Sequence, residues 1–223
     1  MSNLSLTRKI TAIHKILKYL YGTPKKRHLA PLDELIMTIL SQNTSDRNSV
    51  PAFFNLKKSF RNWGDVRVAR ASRIAGLIKR GGLANIKARR IKDVLSAIRQ
   101  RQNSLNISFL KKIPVQDAMD YLMSLKGVGP KTASVVLLFS FNKPVMPVDT
   151  HIFRVAKRLG ILGKKVSVEE AHAILTAATP PRIIRDFHIN LIEHGRKICK
   201  AQRPLCDLCG VRRLCTYYRT FIL

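Results

Sequence analysis

The chain turns between two predicted helices at Leu125-Lys126-Gly127-Val128-Gly129-Pro130-Lys131-Thr132-Ala133. Glycine bends a chain sharply without a steric penalty from a Cβ atom and lets the backbone approach a ligand closely. Proline favours the first position of a helix, where its missing N–H group costs no hydrogen bond. The second helix therefore directs unpaired N–H groups and the positive end of its dipole outward, which predicts an anion site beside Lys131.

The charge balance indicates a polyanionic partner. Lysine and arginine total 41 against 13 aspartate and glutamate residues, a formal net charge of +28 in 223 residues. Such an excess favours nucleic acid through long-range attraction and release of counterions. The longest apolar run, around Ala133 to Phe141, is interrupted by serines and is too short to span a bilayer, so we expect no membrane association.

Helical periodicity extends along nearly the whole chain, and convincing strands with alternating polarity are absent. We therefore predict an all-α protein of about ten helices. Ser167 and Glu170 form a capping box at the start of a helix that runs through Ala178. Three apolar stripes carry the prediction: Leu6, Ile10, Ile13, Leu17 and Leu20; Leu32, Leu35, Ile36, Ile39 and Leu40; and Ile91, Val94, Leu95 and Ile98.

All four cysteines lie near the end of the chain, in the pattern C-x6-C-x2-C-x5-C. Four thiolates spaced this closely can hold one metal centre. Two disulfides are disfavoured because nothing in the sequence indicates a secreted protein. The spacing alone does not distinguish a zinc ion from a cuboidal [4Fe–4S] cluster as the metal centre. The four candidate ligands are Cys199, Cys206, Cys209 and Cys215.

Together these motifs resemble the endonuclease III family, the helix-hairpin-helix DNA glycosylases that carry an iron–sulfur cluster. The resemblance rests on LKGVGPKTASVV at 125–136, VDTHIFRV at 148–155, LIEHGR at 191–196 and the cysteine spacing. It implies a [4Fe–4S] cluster on the four cysteines. It also implies two helical domains: a six-helix barrel at 25–143, with the helix-hairpin-helix at about 116–141, and a cluster domain formed by 1–24 and 144–223. DNA is expected in the cleft between them, with the target nucleotide flipped out.

The resemblance assigns the catalytic pair. Lys131 matches the lysine that attacks C1′ of the damaged nucleoside, for which the amine must be neutral. Asp149 matches the aspartate that accepts a proton and stabilises the developing sugar cation. The alternative for Lys131 is a solvated phosphate contact. From residue type alone, Asp149 is equally the N-cap of a helix from Thr150, a role compatible with catalysis.

Further DNA contacts follow from the same blocks. Gly127 and Gly129 are expected to offer backbone N–H groups to a phosphate near the lesion. Leu83 matches a residue that wedges into the duplex opposite the flipped base, and simple core packing is its alternative.

The stretch Leu40–Asp46 matches the loop beside the lesion, which makes Gln42, Asn43 and Asp46 candidates for DNA binding. Asn43 stands where the typical endonuclease III has glutamine, and Ala84 replaces an aromatic residue beside the wedge. These departures affect the expected lesion range and the opposite-base preference. For Asp46, a role as a helix cap is an equally good interpretation as DNA binding beside the lesion.

Two histidines lie in the matching blocks. His151 is a candidate for DNA contact because it follows Asp149, whereas His194 is expected to be a packed polar residue. Basic residues around the cysteines are expected to face DNA or the cluster: Arg196, Lys200, Arg203, Arg212 and Arg213.

We therefore predict a bifunctional DNA glycosylase and AP lyase of base excision repair that removes oxidised pyrimidines and cleaves 3′ to the abasic site by β-elimination. The alternatives are a glycosylase for uracil or mismatched bases, and a non-catalytic DNA-binding iron–sulfur protein. The expected partner is double-stranded DNA with a damaged base or an abasic site. We expect a monomer in the cytoplasm of a prokaryote, associated with the nucleoid.

Overall fold

The computed structural model describes residues 3–25 and 28–221, and all regular structure in those ranges is helical, as predicted. They contain twelve α-helices, more than the predicted ten or so. The helices at Trp63–Val68 and Thr216–Phe221 have six residues each, too few to show a helical period in the sequence.

In chain order the α-helices are α1 (Asn3–Tyr21), α2 (Pro31–Ser41), α3 (Asp46–Ser59), α4 (Trp63–Val68), α5 (Ala71–Leu77), α6 (Ala84–Gln102), α7 (Val115–Met123), α8 (Pro130–Phe141), α9 (Thr150–Leu159), α10 (Val168–Ala178), α11 (Ile184–Lys197) and α12 (Thr216–Phe221). Short 3₁₀ helices lie at Lys79–Gly81, Ser108–Lys111, Pro181–Ile183, Cys206–Leu208 and Arg212–Leu214.

The chain divides into two compact units, one of which is His28–Lys143 and contains α2 to α8. Its core forms where α2 packs against α8 and α3. The apolar stripe that was predicted on α2 is buried throughout, and so is the stripe on α6. Burial of these side chains from water is the main stabilising term of the unit.

The second unit combines α1 with the chain from Pro144 onward. Helix α1 packs against α11 and α10. Ile10, Ile13 and Leu17 of its predicted stripe are fully buried, whereas Leu20, in the last turn, is 46% exposed. Residues 142–149 are not helical, and Pro144 and Pro147 favour extended backbone in the residues before them. The predicted domain limits, 25–143 and 1–24 with 144–223, stay a prediction.

No helix in the described ranges is both long enough and apolar enough to cross a membrane.

The predicted capping box at the start of α10 is confirmed. Ser167 Oγ accepts a hydrogen bond from the Glu170 N–H group at 3.2 Å, and Glu170 Oε2 accepts one from the Ser167 N–H group at 2.8 Å. The backbone hydrogen bond from Ser167, with that residue's side-chain bond, lowers the pKa of Glu170 below its ordinary value. Each bond satisfies an N–H group that the helix itself leaves unpaired.

We expect Ser167→Ala to lower the free energy of unfolding by about 1 kcal/mol, the usual cost of losing a serine N-cap. Because the pKa of Glu170 is lowered in the folded state, its carboxylate stabilises the fold above its unfolded pKa. That contribution is lost as the pH falls through the folded pKa. Urea titrations at neutral and at acidic pH measure both effects. Glu169→Gln, in the same turn, is the control, and an equal loss in both variants would contradict the capping role.

Candidate functional site

A tight hairpin joins α7 to α8. Leu125 and Val128 turn their side chains into the core, with 1% and 5% exposure. Gly127 and Gly129 are exposed. Gly127 has φ +84°, a left-handed conformation that favours glycine, whereas Gly129 has φ −98° and an extended backbone. The positive φ therefore favours glycine at Gly127, whereas the backbone at Gly129 suits any residue.

Helix α8 begins at Pro130, as predicted, with Gly129 as an N-cap that has no side chain to cover the helix end. The first hydrogen bond of the helix runs from the Ala133 N–H group to the Gly129 carbonyl at 3.0 Å. The earlier N–H groups have no partner within the helix. Lys131 is half-buried in this first turn, so an ammonium or amine lies beside N–H groups that can bind an anion.

Gln42 braces the hairpin from the end of α2. Its Nε2 donates to the Gly127 carbonyl at 3.2 Å and to Thr132 Oγ1 at 3.1 Å. Its Oε1 accepts a hydrogen bond from Arg90 Nη1 on α6. Gln42 is among the predicted DNA contacts, whereas Arg90 and Thr132 are not. Arg90 lies in a run of basic residues, and no sequence signal separates it from its neighbours.

Asn43 follows this brace, and it is exposed with a left-handed backbone at φ 53°. Helix α3 then begins at Asp46, with Ser45 at the N-cap position. The interpretation of Asp46 as the helix cap is therefore wrong. Asp46 is exposed in the first helical turn, where a carboxylate interacts favourably with the positive end of the dipole.

Leu83 precedes α6 with a left-handed backbone at φ 50°, and 51% of its surface is exposed. Core packing, the alternative interpretation of this residue, is therefore wrong. A left-handed conformation is uncommon for a residue with a bulky side chain and costs free energy. The turn nevertheless presents an apolar side chain to solvent.

Asp149 belongs to the second compact unit, and its side chain caps α9 as predicted. Asp149 Oδ1 accepts a hydrogen bond from the Ile152 N–H group at 2.8 Å. A carboxylate has a second oxygen with its own lone pairs, so capping and proton transfer are compatible. His151 is half-buried, with its Nδ1 3.2 Å from Arg154 Nη2.

The four cysteines are free thiols that line one cavity of the second unit. Much of the remaining wall is apolar, formed by Val155, Leu159, Ile198 and Val211 among others. No three histidine, cysteine, aspartate or glutamate side chains in residues 3–25 and 28–221 converge closely enough to hold a single metal ion. Four thiols around one cavity are a donor set that either a zinc ion or an iron–sulfur cluster can use.

The electrostatics of the cavity oppose free thiolates. Burial, with the charges of the neighbouring cysteines, raises the pKa of Cys209 to about 11, and burial also raises the pKa of Cys206. Arg158 Nη1 donates to Cys199 Sγ at 3.4 Å. His194 is a buried polar residue, as expected, and burial lowers its pKa to about 4. A cationic centre would supply the charge needed to stabilise four thiolates.

Comparison with known proteins relates these features to one family. Residues 36–181 match the family described as HhH-GPD superfamily base excision DNA repair protein. Endonuclease III of Sulfolobus acidocaldarius is 37% identical over 82% of this chain and 81% of its own length. Endonuclease III of Thermotoga maritima is 34% identical over 85% and 84%, respectively.

A solved structure extends the likeness to the whole chain. The structure of a trapped endonuclease III–DNA covalent intermediate, an estranged-adenine complex, superposes with a TM-score of 0.81 and 28% identity. The match covers 100% of both chains.

We expect Gly127→Ala to destabilise the protein by roughly 1–3 kcal/mol, because alanine is strained at a positive φ and its Cβ atom would push the Arg90 side chain aside. A Cβ atom there would lie 2.0 Å from Arg90 Nε and would displace the residue that holds Gln42. Gly129→Ala is the matched control, since its Cβ atom would meet no heavy atom within 4 Å. Thermal denaturation of both variants measures the difference, and equal melting temperatures would refute the close packing at Gly127.

Proposed function

The chain belongs to the HhH-GPD superfamily of base excision DNA repair proteins and is a DNA glycosylase of the endonuclease III type, and we propose that it excises oxidised pyrimidines through a lysine Schiff base and then cleaves the strand. The observation that carries this proposal is Lys131 in the first turn of α8, beside unpaired N–H groups. The proposed substrate is double-stranded DNA with a damaged base or an abasic site. We propose that a monomer of the protein acts on it.

Lys131 is the proposed nucleophile. Its neutral amine attacks C1′ of the damaged nucleoside, the C1′–N bond breaks, and the base leaves with a proton. Opening of the sugar ring gives the Schiff base. Removal of a proton from C2′ then expels the 3′ phosphate by β-elimination. The covalent intermediate trapped in the endonuclease III–DNA structure supports a mechanism with an enzyme nucleophile.

Asp149 is the proposed proton acceptor and electrostatic partner. One carboxylate oxygen holds the start of α9, which fixes the orientation of the group, and the other is left to take a proton or to stabilise the sugar cation. Lys131 and Asp149 belong to different compact units. Their action on one sugar stays a prediction, which paired variants test.

The remaining residues are proposed to hold the DNA. Backbone N–H groups at Gly127 and Gly129 bind a phosphate, and Leu83 wedges into the base stack, a role that its exposure supports. On the other side of the lesion, the exposed side chain of Asn43 is proposed to enter the space left by the flipped nucleotide. Gln42 acts by bracing the hairpin.

Two further contacts complete the proposed interface. Asp46 is proposed to lie near the lesion from the first turn of α3, and His151 to reach DNA from the first turn of α9. Asp46 is the first residue of α3, and His151 lies in the first turn of α9. The N–H groups of such first turns favour anions.

We propose that Cys199, Cys206, Cys209 and Cys215 hold a [4Fe–4S] cluster, because all four thiols line one cavity. The bound cluster supplies redox-capable iron and cross-links the basic segment around it. DNA binding by this segment is proposed to depend on its basic side chains and not on the cluster. Arg212 and Arg213 lie between the last two cysteines, and their positive charge is proposed to contact phosphates.

Borohydride trapping on a duplex with one thymine glycol tests the mechanism. We expect a covalent complex with the wild type and none with Lys131→Gln, which lacks the attacking amine. Asp149→Asn is expected to trap at least about tenfold more slowly, since a positioned acid–base group contributes roughly 10²–10⁴-fold. Lys126→Gln, an exposed lysine of the same hairpin, is the matched control and is expected to trap normally.

A parallel duplex with a preformed abasic site separates the alternatives. Trapping on the abasic site alone would support the lyase activity and would favour uracil or mismatched bases as the bases that the protein removes. Trapping on neither duplex, by protein with its metal centre intact, would overturn the bifunctional mechanism and favour the non-catalytic DNA binder.

Metal analysis tests the cluster proposal. We expect about four iron and four sulfide ions per chain, together with visible absorption. A zinc site would instead give about one zinc ion per chain and no visible absorption. Cys209→Ser is expected to lower the iron content and the melting temperature. Leu208→Ser, 73% exposed in the same turn, is expected to change neither. Unchanged iron content in Cys209→Ser would refute the assignment of that ligand.

A further inference from the structure

The ammonium group of Lys87 lies inside the His28–Lys143 unit. The side chain is only 1% exposed, although it stands in the first turns of α6. Lys87 Nζ donates to the Leu40 carbonyl and to the Gly81 carbonyl, each at 2.7 Å. A buried lysine with two short bonds to backbone carbonyls is held far more firmly than a surface lysine.

Both carbonyls lie at the ends of helices. Leu40 is in the last turn of α2, and Gly81 ends the 3₁₀ helix Lys79–Gly81. Helix ends have carbonyls without partners and the negative end of the dipole, both of which stabilise a cation. Burial, with the charge of Arg90, lowers the pKa of Lys87 from its ordinary value. The unit therefore tolerates a desolvated amine at this point because two helix ends converge on it.

The two carbonyls belong to the two segments that lead to the proposed DNA-penetrating residues. Leu40 lies three residues before Asn43, and Gly81 lies two residues before Leu83. The segments approach each other closely, since a Cβ atom built on Gly81 would lie 4.0 Å from the Leu40 carbonyl oxygen. Lys87 is thus the link between them.

Lys87 also restrains the strained turn at Leu83. Its side chain holds Gly81, and the first backbone hydrogen bond of α6, which any residue at this position would make, joins the Lys87 N–H group to the Leu83 carbonyl at 2.9 Å. A non-glycine residue with φ 50° persists only where its surroundings fix it. Bonds on both sides of Gly82 therefore keep the exposed leucine in its left-handed conformation.

We propose that Lys87 is a positioning residue that ties the Asn43 segment to the Leu83 segment, so that both side chains enter the duplex in fixed register. The proposal rests on the proposed glycosylase function. Lys87 is too deeply buried to touch DNA or the reacting atoms and acts through the two segments.

This role has a specific kinetic consequence. Extruding a paired, stacked base requires both segments to occupy the space that it leaves, whereas an abasic nucleotide has no base to unstack. Loss of the link is therefore expected to slow base excision much more than β-elimination at a preformed abasic site. A general structural defect would slow both reactions equally.

The test compares Lys87→Met with Lys92→Met. Lys92 is on the same helix, and its Nζ donates to the carbonyls of Arg67, at 2.8 Å, and Ala69, which lie at the end of α4. Single-turnover excision of thymine glycol is expected to fall by roughly tenfold to a hundredfold in Lys87→Met, the range caused by small misplacements near a reacting centre. In the same variant, cleavage of a preformed abasic site is expected to fall less than about threefold. Lys92→Met is expected to change either rate by less than about threefold.

A double-mutant cycle with Leu83→Ala identifies the route of the effect. If Lys87 acts through the wedge, Lys87→Met is expected to slow excision much less in the Leu83→Ala background than in the wild type. Additive effects would overturn the proposal. Should Lys87→Met not fold, Lys87→Gln, which keeps a neutral donor, carries the same comparisons.

The outcomes separate this proposal from the proposed function. Wild-type protein that excises no base from a panel of oxidised, uracil and mismatched duplexes would overturn the glycosylase mechanism itself. Wild-type excision with equal losses in Lys87→Met and Lys92→Met, or with equal losses on damaged and abasic DNA, would overturn only the role of Lys87.

Discussion

The packing of α8 against α2 is the constraint on which the His28–Lys143 unit depends. Most side chains of both helices are buried, including polar Thr38, Thr132 and Ser134. A helix that is enclosed on most sides can leave only its ends accessible. The N-terminus of α8 is such an end, and Lys131 is therefore presented from a rigid support. Preorganised backbone N–H groups stabilise negative charge without reorganising when it arrives.

The loops beside this helix end have internal braces. A loop that is proposed to penetrate DNA exposes its side chains, so burial of those side chains cannot hold it. In this protein the loops are held by their backbones and by polar side chains behind them: Gln42 bonds to the Gly127 carbonyl, and Lys87 bonds to the Leu40 and Gly81 carbonyls. Helix α6 supplies both Lys87 and Arg90, so one helix restrains three segments of the proposed interface. Polar networks of this kind are costly when incomplete and rigid when satisfied.

The second unit follows a different principle, because its cysteine segment has little regular structure of its own. Between Lys197 and Thr216 the chain contains only 3₁₀ helices of three residues each. Its backbone hydrogen bonds are those of turns and single 3₁₀ turns, and the proposed metal centre, held by four side chains, would cross-link them. Arg158 fastens the segment further, since it donates to the carbonyls of Lys200 and Ala201.

Sequence patterns predicted the helical class, the apolar stripes, the capping box at Ser167 and the start of α8, because each depends on spacing within a few residues. The family resemblance then predicted the glycosylase function, which the comparisons confirm. One of the two interpretations of Asp46, as a helix cap, was wrong because Ser45 occupies that position, and errors of one residue are common at helix ends. The position of Lys87 in the sequence is a weak signal, since it lies on the buried stripe of α6 four residues before Ile91. This position alone does not predict a buried ammonium group, because a lysine on an apolar stripe usually keeps the tip of its side chain in water.

The sequence by itself determined where α8 and α10 begin, which faces of α2 and α6 are apolar, and which chemistry the hairpin and cysteines can support. Only the tertiary structure decided which carbonyls converge on Lys87, that Arg90 packs against Gly127, and that Leu83 is exposed in a strained turn. The physical reason is separation along the chain. Lys87 and Leu40 are 47 residues apart, and Gln42 and Thr132 are 90 apart. Contacts of that kind depend on how helices pack, and local spacing carries no information about them.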